Sequence, residues 1–119
     1  VTDIPLSFWG GYDHQNGEIT DRRHPLSGSI AAGRILVVPF TRGSSTTTAV
    51  LLEAIKAGTA PAAIVTTHVD SFFALASIVA DEMYTSPIPI VVILPEEAAS
   101  LQTGEWISIT DDGQLRINS

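Results

Sequence analysis

The sequence predicts an α/β fold: a short parallel sheet with flanking helices and a second, antiparallel layer. Three observations carry this. Short apolar runs at Ile35–Val38, Ala62–Val65 and Ile90–Leu94 read as buried strands. The stretches between them space their apolar residues as helices do. Hairpin-like pieces lie at both ends of the chain, so an alternation of strand and helix is flanked by antiparallel ribbon.

Taken in order, Leu6-Ser7-Phe8-Trp9 suits a short strand ended by Gly10-Gly11. Asn16-Gly17 is a turn signal, with Glu18-Ile19-Thr20 as the return strand. Asp21 to Ser29, DRRHPLSGS, is polar and broken by Pro25 and Gly28, so it reads as surface loop. After Ile35–Val38 a helix follows, apolar at Val50, Leu51, Ala54 and Ile55, with Glu53 and Lys56 opposite. Gly58 fits the C′ position, and Pro61 comes soon after. A second helix spans Phe72 to Tyr84, apolar at Phe72, Leu75, Ala76 and Val79. Pro87 and Pro89 bracket the turn into Ile90–Leu94, and Pro95-Glu96-Glu97 suits the first turn of a short helix. Glu105–Ile109 and Gln114–Asn118 form a hairpin around Asp112-Gly113.

Bulk properties narrow the function. A chain of 119 residues, 45% hydrophobic, is expected to form one domain over 1–119 with one core. The net charge of −7 and the scattered Lys and Arg argue against nucleic acid and anionic membranes as partners. No apolar run is long enough for a bilayer. There is no cysteine, so the chain has no thiolate ligand for a cluster, and a cytoplasmic location is expected. Val1–Pro5 has no basic n-region and no h-region follows, so no signal peptide is expected there.

The most informative stretch is ILVVPFTRGSSTTTAVLLEAIKAG, residues 35–58. Strand, tight polar turn and helix meet at Gly43-Ser44-Ser45-Thr46. The joint sets two serine hydroxyls and free backbone N–H groups at the positive end of a helix, a place for an anion. Ser44 or Ser45 could be a simple N-cap. Against that, three β-branched threonines follow, and Arg42 stands where it could clamp a carboxylate bidentately. The spacing matches neither a Walker A loop nor a Gly-x-Ser-x-Gly elbow. His14, His24 and His68 fall in different elements and read as surface or loop histidines, so no metal site is expected. Asp13, Glu18 and Asp21 lack the EF-hand order and read as a solvated acidic loop. Trp9 beside Gly10-Gly11 reads as a packing or interface anchor.

With those residues in view, the chain resembles the small, swivel-domain component of the aconitase X family. The resemblance is carried by Pro5-Leu6-Ser7-Phe8-Trp9-Gly10-Gly11, Asp13, Asn16-Gly17, His24-Pro25-Leu26 and Gly28. It continues through Gly33-Arg34-Ile35-Leu36-Val37, Arg42-Gly43-Ser44-Ser45-Thr46, Gly58-Thr59-Ala60-Pro61-Ala62 and Thr103-Gly104. Family members usually carry a glycine-rich segment ahead of Pro5, so this chain resembles a trimmed piece, a fragment of a fused enzyme or an unusually short subunit.

The resemblance implies a swivelling β/β/α domain and a hydro-lyase split between a large and a small piece. It implies an iron–sulfur cluster on the large partner, most substrate contacts there too, and none of the cluster's ligands on this chain. More distantly, Gly43-Ser44-Ser45 is similar to the Gly-Ser-Ser start of the aconitase and isopropylmalate-isomerase motif, whose first serine is the catalytic base. That maps the base onto Ser44 and leaves Arg42, Gly43, Ser45 and Thr46 to hold a small carboxylate substrate. Trp9, Gly10 and Gly11 would meet the large partner. Those relatives continue Arg-Glu-His where this chain has Thr46-Thr47-Thr48, so their substrate-binding arginine is not carried over. Two activities are known in the family, on cis-3-hydroxy-L-proline and on mevalonate 5-phosphate. Archaeal small subunits tend to read Lys-Gly-Ser-Thr at the turn, so Arg42-Gly43-Ser44-Ser45-Thr46 favours hydroxyproline. The rival readings are a non-catalytic anion-binding module and a purely structural interface domain.

Overall fold

A computed structural model describes residues 1–2, 4–8, 11–40, 46–68, 71–84, 88–109 and 115–118. Its centre is a parallel sheet of β1 (Ile35–Val37), β2 (Ala63–Thr66) and β3 (Ile90–Val92), in that spatial order. The register pairs Ile35 with Ala63 and Ile64 with Ile90. The crossovers are α1 (Thr46–Ala57) and α2 (Ser71–Tyr84), and α3 (Pro95–Ala99) follows β3. β4 (Trp106–Ile109) and β5 (Leu115–Asn118) form the antiparallel hairpin, with Trp106 opposite Asn118. Its closing turn at Asp112-Gly113 lies outside the described residues.

Strand alternation divides the core in two. Leu36, Ile64 and Ile90 point to the face covered by Leu51 and Ala54 of α1 and Phe73 and Ala76 of α2. Val37, Val65 and Val91 point the other way, onto Leu101 and the hairpin's Ile107, Ile109 and Leu115. The layers are therefore hairpin, parallel sheet and helices, as the swivelling β/β/α expectation requires. The 1–34 segment also packs on the helix side, through Leu6, Phe8, Tyr12, Ile19 and Ala31.

The helix boundaries have local causes. At the end of α1, Gly58 takes φ +77. Its N–H reaches the Ile55 carbonyl at 3.2 Å and the Thr59 N–H reaches Ala54 at 2.9 Å, a Schellman cap. Lys56 lies in the last turn, where a cation suits the dipole. Pro95 opens α3, and the Leu94 N–H donates to Glu97 Oε1 at 3.2 Å.

The structure corrects four readings. Leu6 to Phe8 form no strand, and Leu6 makes only an isolated bridge. Glu18 and Ile19 likewise make isolated antiparallel bridges, to Ile30 and Tyr12, rather than a continuous strand. On α2 the buried stripe is Phe73, Ala76 and Ala80, while Leu75 is 50% exposed. The stretch is apolar all round, so periodicity could not choose its face. Ser77 settles the rotation by donating to the Ile88 carbonyl at 2.6 Å. β3 is an edge strand and stops at Val92, which is 49% exposed, rather than running buried to Leu94.

His24 is in its predicted loop but buried. The Leu26 N–H donates to its Nδ1 at 3.1 Å, so the proton sits on Nε2, which donates to the Ile4 carbonyl at 3.1 Å. The imidazole thus staples the loop to the N-terminal segment. In the acidic loop, Asp13 and Asp21 accept from the Gln15 and Arg23 backbone N–H groups at 2.8 and 3.0 Å.

Candidate functional site at the C-terminal edge of the parallel sheet

Three parallel strands put their C-terminal ends on one edge, and in open α/β sheets that edge is where ligands bind. β1 delivers Val38, Pro39 and Phe40 there, and Thr46 opens the twelve-residue α1 just beyond residues 41–45. The fourteen-residue α2 starts at the same edge after β2. Neither helix has an acidic residue in its first turn, so neither N-terminal dipole is offset by the helix's own side chains.

Arg42, Gly43, Ser44 and Ser45 lie outside the described residues, as do Trp9 and Gly10. Thr46 is the first residue of α1, in agreement with a strand–turn–helix joint. Gly11 is buried, and a Cβ there would collide with the Ser7 carbonyl oxygen. Its place is therefore held by close backbone approach. Phe8, just before Trp9, packs edge-on to Phe73 in the first turn of α2, with ring centroids 5.4 Å apart. This anchors Phe8 to a helix that begins at the C-terminal edge of the sheet.

The sequence reading missed what β2 contributes. Thr66 is fully buried, and its hydroxyl donates to the His68 carbonyl at 2.9 Å. The Thr67 N–H donates to the Pro39 carbonyl at 3.2 Å. Thr67 Oγ1 lies 3.0 Å from His68 Nδ1, and the His68 ring meets Phe40 edge to face at 5.3 Å. The signal was available: in any β–α–β unit, residues after the second strand lie beside the loop after the first.

A concavity of about 470 Å³ opens at the opposite edge, lined by Ile30, Arg34, Ile35, Ala62, Gln102 and Trp106 among others. It sits at the strands' N-terminal ends, away from both long-helix N-termini.

A family model for the aconitase X swivel domain matches residues 1–117. The chain belongs to that family. It is 44% identical over 113 residues to the cis-3-hydroxy-L-proline dehydratase of Pseudomonas aeruginosa, covering 95% of this chain and 19% of that protein. The chain therefore spans about a fifth of that relative's length. It is 32% identical over 117 residues to the phosphomevalonate dehydratase small subunit of Methanothermobacter thermautotrophicus, covering 98% of this chain and 86% of that one. The crystal structure of holo-form aconitase X from Thermococcus kodakaraensis superposes with a TM-score of 0.86 at 31% identity, covering 98% of this chain and 84% of that one. These relatives are named as dehydratases or as aconitase X, and the swivel domain is the part of them that this chain matches. Among the described residues no cluster of side chains could hold a metal ion, and no helix is long and apolar enough to cross a membrane.

Proposed function

We propose that this swivel domain supplies the general base of a dehydratase whose site is completed by a large partner subunit or domain, with cis-3-hydroxy-L-proline as substrate. The observation that carries the reading is Thr46. The word Arg42-Gly43-Ser44-Ser45 ends where a long helix begins, at the sheet edge that a second long helix also faces. The 44% identity to a hydroxyproline dehydratase supports the substrate class.

Dehydrating a β-hydroxy acid requires removal of the proton α to the carboxylate and departure of the hydroxyl. A serine hydroxyl is a weak base in water. Ser44 has to act as the alkoxide, which two helix N-termini and the Arg42 cation favour. Closing the cleft against the partner excludes water and strengthens both effects. The Ser44 alkoxide takes the α-proton and becomes the hydroxyl, while the C–O electron pair leaves with the substrate hydroxyl. Arg42, the Gly43 and Ser45 backbone and Thr46 orient the substrate carboxylate. An iron–sulfur cluster on the partner would supply Lewis-acid assistance to the leaving group. This chain has no cysteine with which to ligate one. Trp9, Gly10 and Gly11 would meet that partner, and the assembly would be cytoplasmic.

The test is co-expression with the large partner and assay of Ser44→Ala and Ser45→Ala on cis-3-hydroxy-L-proline and mevalonate 5-phosphate. Loss of the base is expected to cost about 10²–10⁴-fold in kcat for Ser44→Ala, with assembly intact. Normal turnover by Ser44→Ala and loss in Ser45→Ala moves the base by one residue. Full activity in both ends the serine-base reading. Turnover of mevalonate 5-phosphate alone assigns the second substrate, which the near full-length match to an archaeal small subunit keeps in contention.

A further inference from the structure

We propose that Phe40 and His68 form a clasp that positions the 41–45 joint, so that His68 is a positioning residue for the serine base. The effect on turnover rests on the function proposed above; the effect on the joint does not.

Both rings are exposed, Phe40 by 39% of its surface, so neither is spent on the core. Yet they are fixed by a chain of contacts that begins in it. The buried Thr66 hydroxyl holds the His68 carbonyl, which sets the backbone of the last described residues after β2. Thr67 works in two directions: its N–H holds the Pro39 carbonyl, and its hydroxyl lies against His68 Nδ1. The imidazole so held meets Phe40 at 81° between ring planes, an arrangement aromatic pairs favour. The two residues after β2 thus grip the chain after β1 at two consecutive residues, Pro39 and Phe40.

The reach of the chain makes that grip matter. Two residues span at most about 7 Å, so Arg42 is tied closely to Phe40 and Ser44 equally closely to Thr46, the start of α1. The joint has two short tethers. α1 is fixed by its packing, and the other tether ends in the clasp. Misplacing a base by about 1 Å can cost roughly 10²-fold in rate, so a loosened Phe40 would be felt at Ser44.

The experiment uses His68→Ala, Phe40→Ala, His68→Phe and the double Ala variant, in two readouts. In the isolated chain, tryptic cleavage after Arg42 is timed against cleavage after the exposed Arg22 and Arg23. Local opening is expected to speed Arg42 cleavage by roughly tenfold in both single Ala variants, with Arg22 and Arg23 unchanged. His68→Phe, which keeps a ring on Phe40, is expected to restore near wild-type rates. In the assembled enzyme, kcat should fall by roughly tenfold with KM little changed, and the double variant should be no worse than either single one. Arg42 cleavage that responds to neither Ala variant overturns the clasp, as does equal acceleration at all three arginines. Faster Arg42 cleavage with unchanged turnover upholds the clasp and overturns the link to the serine base.

Discussion

The central sheet is packed to different depths on its two faces. On the helix side the buried cluster contains three aromatic rings, with Phe8 stacked on Tyr12 at 5.0 Å and set edge-on to Phe73, besides Leu6, Ile19, Leu51 and Ile64. On the hairpin side, among the described residues, only Val37, Val65 and Leu101 are buried, among partly buried aliphatic neighbours. The helix side fixes α1 and α2, whose N-termini lie at the C-terminal edge of the parallel sheet. The hairpin side closes the sheet with a smaller buried cluster among the described residues, and the exposed Trp106, at 81%, stands at the hairpin's start. The larger buried cluster thus belongs to one face, and the antiparallel layer is a thinner cover.

The sharpest way to break this contrast is Phe73→Ala. The ring is fully buried, touches Phe8 and lies in the first turn of α2. Truncating a buried Phe costs about 3–5 kcal/mol, which is much of a small domain's stability. Denaturant unfolding should show that loss as a shift in midpoint. A cost under about 1 kcal/mol would mean that the helix side is no better packed than the hairpin side.

Leu101→Ala probes the other face. It is the buried residue between β3's end and the hairpin, 6% exposed. Buried Leu→Ala changes cost about 2–5 kcal/mol, and this one is expected near the low end, because its half-buried neighbours can collapse into the space. Hydrogen exchange should rise across β4 and β5 while α1 stays protected. Equal loss of protection in α1 would show the two faces to be one cooperative unit with no thin side.

Legibility in the sequence followed the same division. The β1–α1–β2–α2–β3 order could be read because continuous apolar runs, Gly58 and Pro95 each constrain the backbone locally. The hairpin could be read from alternation on either side of Asp112-Gly113. What could not be read depends on long-range packing. Nothing local says that Leu6 to Phe8 run as a buried irregular segment, or that His24 is enclosed between Ile4 and Leu26. The face of α2 was hidden by its apolar character all round. At the site, the joint was legible as a word with a helix behind it, and Thr46 bears out the helix start. The Phe40–His68 contact was not, since it joins residues 28 positions apart that only the parallel pairing of β1 and β2 brings together.

The smallest expected effect, and the finest test of the helix side, is the pH dependence of Tyr12. Its ring is buried, and its hydroxyl donates to the Thr59 carbonyl at 2.7 Å, while Thr59's own N–H helps cap α1. Burial pushes the phenol well above its ordinary value of 10.0. The folded state therefore keeps a proton that the unfolded chain releases above that pH. The resulting stability is fully present below about pH 10 and is lost as pH rises beyond it. Tyr12→Phe removes one hydrogen bond, at a cost of about 0.5–1.5 kcal/mol near neutrality. Above pH 10 the gap between wild type and variant should narrow, because only the wild type still has this phenol to ionise on unfolding. Every other titrating group is common to both, so the difference isolates Tyr12. Unfolding midpoints between pH 8 and 10.5, a range set by the phenol's ordinary value, would measure it. A gap that stays constant across that range would mean that the phenol is already wet in the folded state, and that the aromatic side of the core is looser than its geometry implies.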